Sequence, residues 1–138
     1  MPVAYEIDAS RALIRTRCFG DCTFADVVGH FESLERDPAL PREPDVLLDM
    51  SELGTLPKIT ELHEVVGLIQ RLKPKTPLRH CAIVATRNAM FGLVRMFAVF
   101  AESQFRSVRV FRDRAEADAW LAGAASASER APLRPRRA

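Results

Sequence analysis

The chain has 138 residues, 48% of them apolar and 28% charged, which is enough apolar matter for one domain with a real core and excludes wholesale disorder. The formal charge is only +2, and the stretch 124–138 carries it: Arg130, Arg134, Arg136 and Arg137 stand against Glu129 for a net +3, leaving a body at −1. A nearly neutral body lacks the basic face that a nucleic-acid binder needs, and an odd three cysteines speak against a disulfide scaffold and fit a reducing cytoplasm.

Val3 to Asp8 reads as a short strand, Asp8-Ala9-Ser10 as a turn, and Arg11 to Phe19 as a second strand of an antiparallel hairpin. Alternation puts Ile14, Thr16 and Cys18 on one face of that strand and Leu13, Arg15 and Arg17 on the other. The opening Met-Pro-Val-Ala-Tyr-Glu has neither a basic nor an apolar run, so no signal peptide is expected. After Gly20-Asp21, Thr23 and Asp26 have capping-box spacing, and Phe24, Val27, Val28, Phe31 and Leu34 follow a helical period. Pro38, Pro41 and Pro44 stop that helix.

Val46-Leu47-Leu48, within 45–50, suits a strand covered on both faces. Ser51 to Lys58 is expected as a loop and Thr60 as an N-cap. Leu62, Val65, Val66, Ile69 and Leu72 then form a single apolar stripe, ended by Pro74 and Pro77. Cys81 to Ala85 is a second buried strand.

Asn88 is expected to cap a helix running to about Gln104. Its stretch Met90 to Phe100 is apolar around nearly the whole circumference, interrupted by Arg95, and too short for a membrane span. Val108 to Phe111 is another strand, followed by a short helix capped by Asp113 with Glu116 in the capping-box position. The expected fold is α/β with a mixed, mostly parallel sheet, an N-terminal antiparallel hairpin and the order β-β-α-β-α-β-α-β-α. It fills residues 1–123, and 124–138 is expected as a disordered tail rich in Arg, Pro and Ala. Its arginines are dispersed, which reads as a solvated tail. Heavy Arg and Ala use suggests a GC-rich bacterial gene.

Three stretches together resemble the SpoIIAA-like family, a branch of the STAS-type fold. They are Cys18-Phe19-Gly20-Asp21-Cys22-Thr23-Phe24-Ala25-Asp26, then Val46-Leu47-Leu48-Asp49-Met50-Ser51, and most specifically Gly92-Leu93-Val94-Arg95-Met96-Phe97 with Val108 to Asp113 and Glu116 to Leu121. The resemblance spans roughly residues 3–122. It implies a small α/β domain with a regulatory or binding role, no enzymatic activity and no cofactor. STAS relatives act as anti-sigma-factor antagonists switched by phosphorylation at a helix N-terminus, where free N–H groups meet the phosphate. The Asp-Ser-Ser-Gly hallmark of those antagonists is missing here after Asp49-Met50-Ser51, and Thr60 is the nearest phosphorylation candidate by position. The branch also resembles CRAL-TRIO lipid-transfer domains in fold, which suits an apolar helix.

The apolar helix and the neighbouring strand ends are the expected binding region, through Asp49, Ser51, Arg87, Asn88, Met90, Phe91, Val94, Arg95 and Phe97. The helix is a core helix on the sheet, a face for a homodimer or other protein partner, or a lid over a hydrophobic small molecule or a membrane surface. Arg95 either snorkels to an anionic head group or is solvated beside the core. Thr86-Arg87-Asn88 lies where open α/β sheets bind ligands, outside the carboxyl ends of strands. Asp49 is a site carboxylate or a turn residue. Adjacent strand residues point to opposite faces, so His80 and Cys81 cannot easily join Cys18 and Cys22 around zinc, and no metal is expected. His30 and His63 sit on separate helices away from any nucleophile motif.

Overall fold

The structure, a computed structural model, describes residues 2–72 and 77–130. The elements run β1 (Val3–Asp8), β2 (Leu13–Gly20), α1 (Phe24–Arg36), β3 (Asp45–Leu53), α2 (Ile59–Leu72), β4 (His80–Val84), α3 (Asn88–Ala101), β5 (Ser107–Phe111) and α4 (Arg114–Arg130). The strands form one sheet in chain order, β1-β2-β3-β4-β5. β1 and β2 are antiparallel, with Val3 opposite Cys18 and Asp8 opposite Leu13. Every later neighbour is parallel. This is the expected α/β fold.

Strand order that advances in one direction, with crossovers of one hand, puts successive crossover helices on the same face. Accordingly α1, α2 and α3 all cover one face of the sheet, and α4, after the last strand, folds back on the other. α1 lies toward β1 and α3 toward β5, and α2, between them, packs on those two helices more closely than on any strand. The second face is tight. Leu13, Leu47, Ala82, Val84, Ala117 and Leu121 meet there, none more than 1% exposed.

Several boundaries differ from expectation, each for a local reason. The 51–58 loop begins later, because β3 continues to Leu53 through a register slip against β2 between Arg17 and Phe19. Thr60 is not a cap: α2 starts at Ile59, and Glu61 Oε1 accepts the Lys58 N–H at 3.1 Å instead. Asn88 is the first helical residue of α3, where Arg87 occupies the cap position without a side-chain bond. α3 stops at Ala101, and a 3-10 turn covers Glu102–Gln104. Finally, α4 runs on to Arg130, so 124–130 is helical where a tail was expected. Ala and Ser content over 124–128 permits a helix once α4 is docked by Ala117 and Leu121. The rest of the expected tail, 131–138, and the Pro74 stop lie outside the described residues. The Thr23–Asp26 capping box forms as expected, with Thr23 Oγ1 accepting the Asp26 N–H at 3.2 Å and Asp26 Oδ2 accepting the Thr23 N–H at 2.9 Å.

Candidate functional site: a chamber beneath α2

β3 is the middle strand of the sheet, and its two faces fare differently. Leu47 and Asp49, toward α4, are buried, whereas Val46, Leu48 and Met50, toward three helices, are only half-buried. The reason is a chamber of about 360 Å³ between the sheet and the helices. Its floor is β3 with Thr16 and Cys18 of β2, and its roof is Leu62, Val65 and Ile69 of α2. α1 and α3 supply the side walls, through Phe31 and Leu34 on one side and Val94 and Phe97 on the other. The chamber follows from the topology: α2 spans the gap between its two neighbours and stands off the strands, so the space beneath it is not filled.

The mouth lies at the carboxyl ends of β2 and β3, between Cys22-Thr23-Phe24 and the loop Thr55–Lys58. Hydrogen bonds fix this rim. Gly54 N–H donates to Gly20 O at 2.9 Å, and Arg87 Nη2 donates to Leu53 O at 2.7 Å. Gly20 holds φ at +61°, a conformation that favours glycine, and a Cβ on Gly54 would come 3.2 Å from Gly20 O. Leu56, at the mouth, leaves half its surface in solvent.

Chamber volumes of about 300–1,000 Å³ are usual for small-molecule sites, and an apolar cavity of about 150 Å³ already holds benzene. The chamber is open at its mouth, so it is a cleft rather than a sealed void. Its lining is overwhelmingly apolar and offers water few partners. The polar exceptions inside are Thr16, His30 and thiols. Thr16 Oγ1 and His30 Nε2 are 3.4 Å apart, and His30 Nδ1 is buried without a partner among the described residues. Burial pushes His30 down from 6.5 to about 4, so it is neutral at physiological pH. Burial likewise raises the Cys18 and Cys81 thiols to about 12, and that of Cys22 upward, so none is an activated nucleophile.

The expected binding residues do not converge. Val94 and Phe97 line the chamber. Met90 packs beside them on the sheet, 1% exposed. Phe91 is capped from outside by the Arg112 guanidinium, 4.0 Å from its ring centroid, and Arg112 also donates to Asn88 Oδ1 at 2.8 Å. Arg95 is exposed to solvent, and Arg87 is engaged on the rim. His63 stacks on Phe100 at 4.1 Å. What remains open on α3 is Met96, 40% exposed, and Val99, 67% exposed. The helix is thus a core helix over most of its circumference, with a narrow bare strip.

Asp49 and Ser51 belong to the other face of the sheet. The register slip frees the Ser51 N–H from the ladder, and Asp49 Oδ1 takes it at 2.9 Å together with the Ser51 hydroxyl at 2.7 Å. Asp49 Oδ2 also lies 3.6 Å from Arg114. This carboxylate holds a bulge, as a turn residue does. Beside it is a shallow polar groove where Arg15 and Arg17 are matched by Glu6, Asp8 and Glu52. Thr60 is exposed in the first turn of α2. His80 faces Trp120 and bonds Ser107 Oγ at 2.7 Å, while Cys81 faces the chamber, the opposite orientation expected of strand neighbours. Among the described residues no group of three or more His, Cys, Asp or Glu side chains is placed to hold a metal ion. No described helix is long and apolar enough to cross a membrane.

The strand ends expected to bind, Asp49 and Ser51 on β3 and Thr86-Arg87-Asn88 after β4, lie toward the same end of the sheet as the mouth, which opens outside β2 and β3. No local signal marks a chamber, because Val46, Leu48 and Leu62 read the same whether they meet partners or face a void. Asp45 also escaped the sequence. It is 3% exposed, pairs with Arg79 at 3.3 Å and accepts the His80 N–H at 3.1 Å, a structural tie between β3 and β4. Compared with known families and with curated proteins, the chain matches no family model and no curated sequence.

Proposed function

We propose that this protein is a non-enzymatic binding or regulatory domain that takes an apolar small molecule into the chamber beneath α2. The observation that carries this reading is the half-buried inner face of β3, a central strand left facing about 360 Å³ of apolar space with a mouth to solvent. Burial disfavours the thiolate forms of the cysteines on the wall, so no activated thiolate nucleophile stands there, which favours binding over nucleophilic catalysis. The element order and the motifs quoted for it favour membership of the SpoIIAA-like, STAS-type family, in a cytoplasmic setting that also suits three free thiols.

Titration with N-phenyl-1-naphthylamine, an uncharged probe that fluoresces in apolar surroundings, tests the reading. Saturable binding at one probe per chain is expected, and a signal that never saturates contradicts it. A second reading concerns the strip of Met96 and Val99, whose exposure favours cover by a second copy of the chain. Mass measurement at low micromolar concentration decides it: a dimer lost in Val99→Asp supports it, and a strict monomer removes it.

A further inference from the structure

The chamber is apolar, but its few polar groups are arranged in a way that selects among apolar ligands. Lys58 and Glu61 are the only side chains of permanent charge on its wall among the described residues, and both stand at the mouth. They are opposite in sign and one helical turn apart, and Arg87 on the rim is turned to the Leu53 carbonyl. Two helices, α1 and α2, begin there, and each positive end already has its own acid. Asp26 accepts the Thr23 N–H, and Glu61 accepts the Lys58 N–H.

Deeper in, the wall carries no cation or anion among the described residues. His30 and the thiols are neutral at physiological pH because burial disfavours their charged forms. One polar spot is under-used. The Thr16–His30 contact is 3.4 Å, longer than a good hydrogen bond, and His30 Nδ1 is unpartnered among the described residues. A neutral imidazole bonded to Thr16 through Nε2 leaves the Thr16 hydroxyl with capacity for one more partner. Thr16 projects from β2 into the middle of the floor, between Ile14 and Cys18, so that partner would come from the occupant.

We propose that the occupant is an uncharged, mainly apolar compound bearing one hydroxyl or carbonyl group, and that this group bonds to the Thr16 hydroxyl on the chamber floor. The proposal rests on the reading of the chamber as a ligand site, and it names the class that site accepts. A carboxylate or ammonium of the same chain length is disfavoured in that place, because burying its charge on the floor beside Thr16 leaves it unpaired.

The full chain, equilibrated with N-phenyl-1-naphthylamine at pH 7.5, is challenged with decan-1-ol, decanoate and decylammonium as displacing ligands. Decan-1-ol is expected to displace the probe at a concentration at least about tenfold lower than either ion. Decanoate or decylammonium displacing as well as the alcohol overturns the proposal while leaving the chamber a ligand site. Failure of the probe to bind removes the underlying reading instead. Thr16→Val, which keeps the shape and loses the hydroxyl, is expected to weaken decan-1-ol about fivefold and to leave 1-chlorodecane unchanged, with Thr16→Ser restoring the alcohol. Equal loss for both compounds overturns the docking of the polar group on Thr16.

Discussion

The two faces of this sheet are built from the same kinds of residue and end in opposite states. Toward α4, one helix lies directly on the strands, and Leu47, Ala82 and Val84 are sealed. Toward α1, α2 and α3, three helices share one face, and the middle one rests on its neighbours and leaves β3 uncovered. More helices do not mean a better-filled core. Filling depends on whether each helix reaches the sheet, and α2, resting on its two neighbours, does not.

Two consecutive residues of β3 break or sharpen the contrast most directly. Leu47→Ala, on the sealed face, is expected to cost about 3 kcal/mol, and Leu48→Ala, on the chamber floor, about 1 kcal/mol, because Leu48 already lacks contacts on one side. Urea denaturation of both variants checks this, and equal costs would mean that the two faces are equally packed.

Acid sensitivity follows from the same contrast. His30 is neutral in the fold down to about pH 4, whereas the unfolded chain protonates it from about 6.5. Below 6.5 the unfolded state therefore binds the extra proton. Stability falls as pH drops from 6.5 to 4 and then levels, by up to about 3 kcal/mol in all. His30→Phe should remove that part of the pH dependence. Urea curves at pH 7, 5.5 and 4 that keep the wild-type slope in the variant would assign the acid loss elsewhere.

Added volume should discriminate in the reverse sense. Ala117→Leu, under α4, is expected to destabilise by about 1–3 kcal/mol through overpacking, whereas Val65→Leu in the chamber roof should change stability by less than about 1 kcal/mol. Thermal unfolding of the pair reads the difference, and a penalty at Val65 as large as that at Ala117 would argue for a filled chamber. The smallest effect separates a real cap from an apparent one. Thr23→Ala should cost about 1 kcal/mol because its hydroxyl caps α1, and Thr60→Ala less than about 0.5 kcal/mol because its place is inside the first turn.

Much of the fold was legible because it rests on local periodicity. The alternation in β2, the capping box at Thr23 and the stripe of α2 each need only a few neighbouring residues. A core position was one of three readings open for α3, and its contacts with Arg112 and His63 account for apolar surface that the sequence left over. The chamber was not legible. Asp49 read equally as a site carboxylate or a turn residue, and a register slip, which depends on the neighbouring strand, gives it a bulge to hold. The chamber depends on the height of α2 above the sheet, a quantity set by two other helices and by no residue alone. α4 overran its expected end because Gly123 reads as a stop, while docking elsewhere along the helix carries it past.

The central claim is that the space above Leu48 is where an apolar ligand sits, and a filling variant tests it most directly. N-phenyl-1-naphthylamine is titrated into the wild-type chain and into Leu48→Trp, with circular dichroism to verify that the variant stays folded. Saturable binding in the wild type and its loss in the folded variant is the predicted result. Unchanged binding in folded Leu48→Trp would contradict the account.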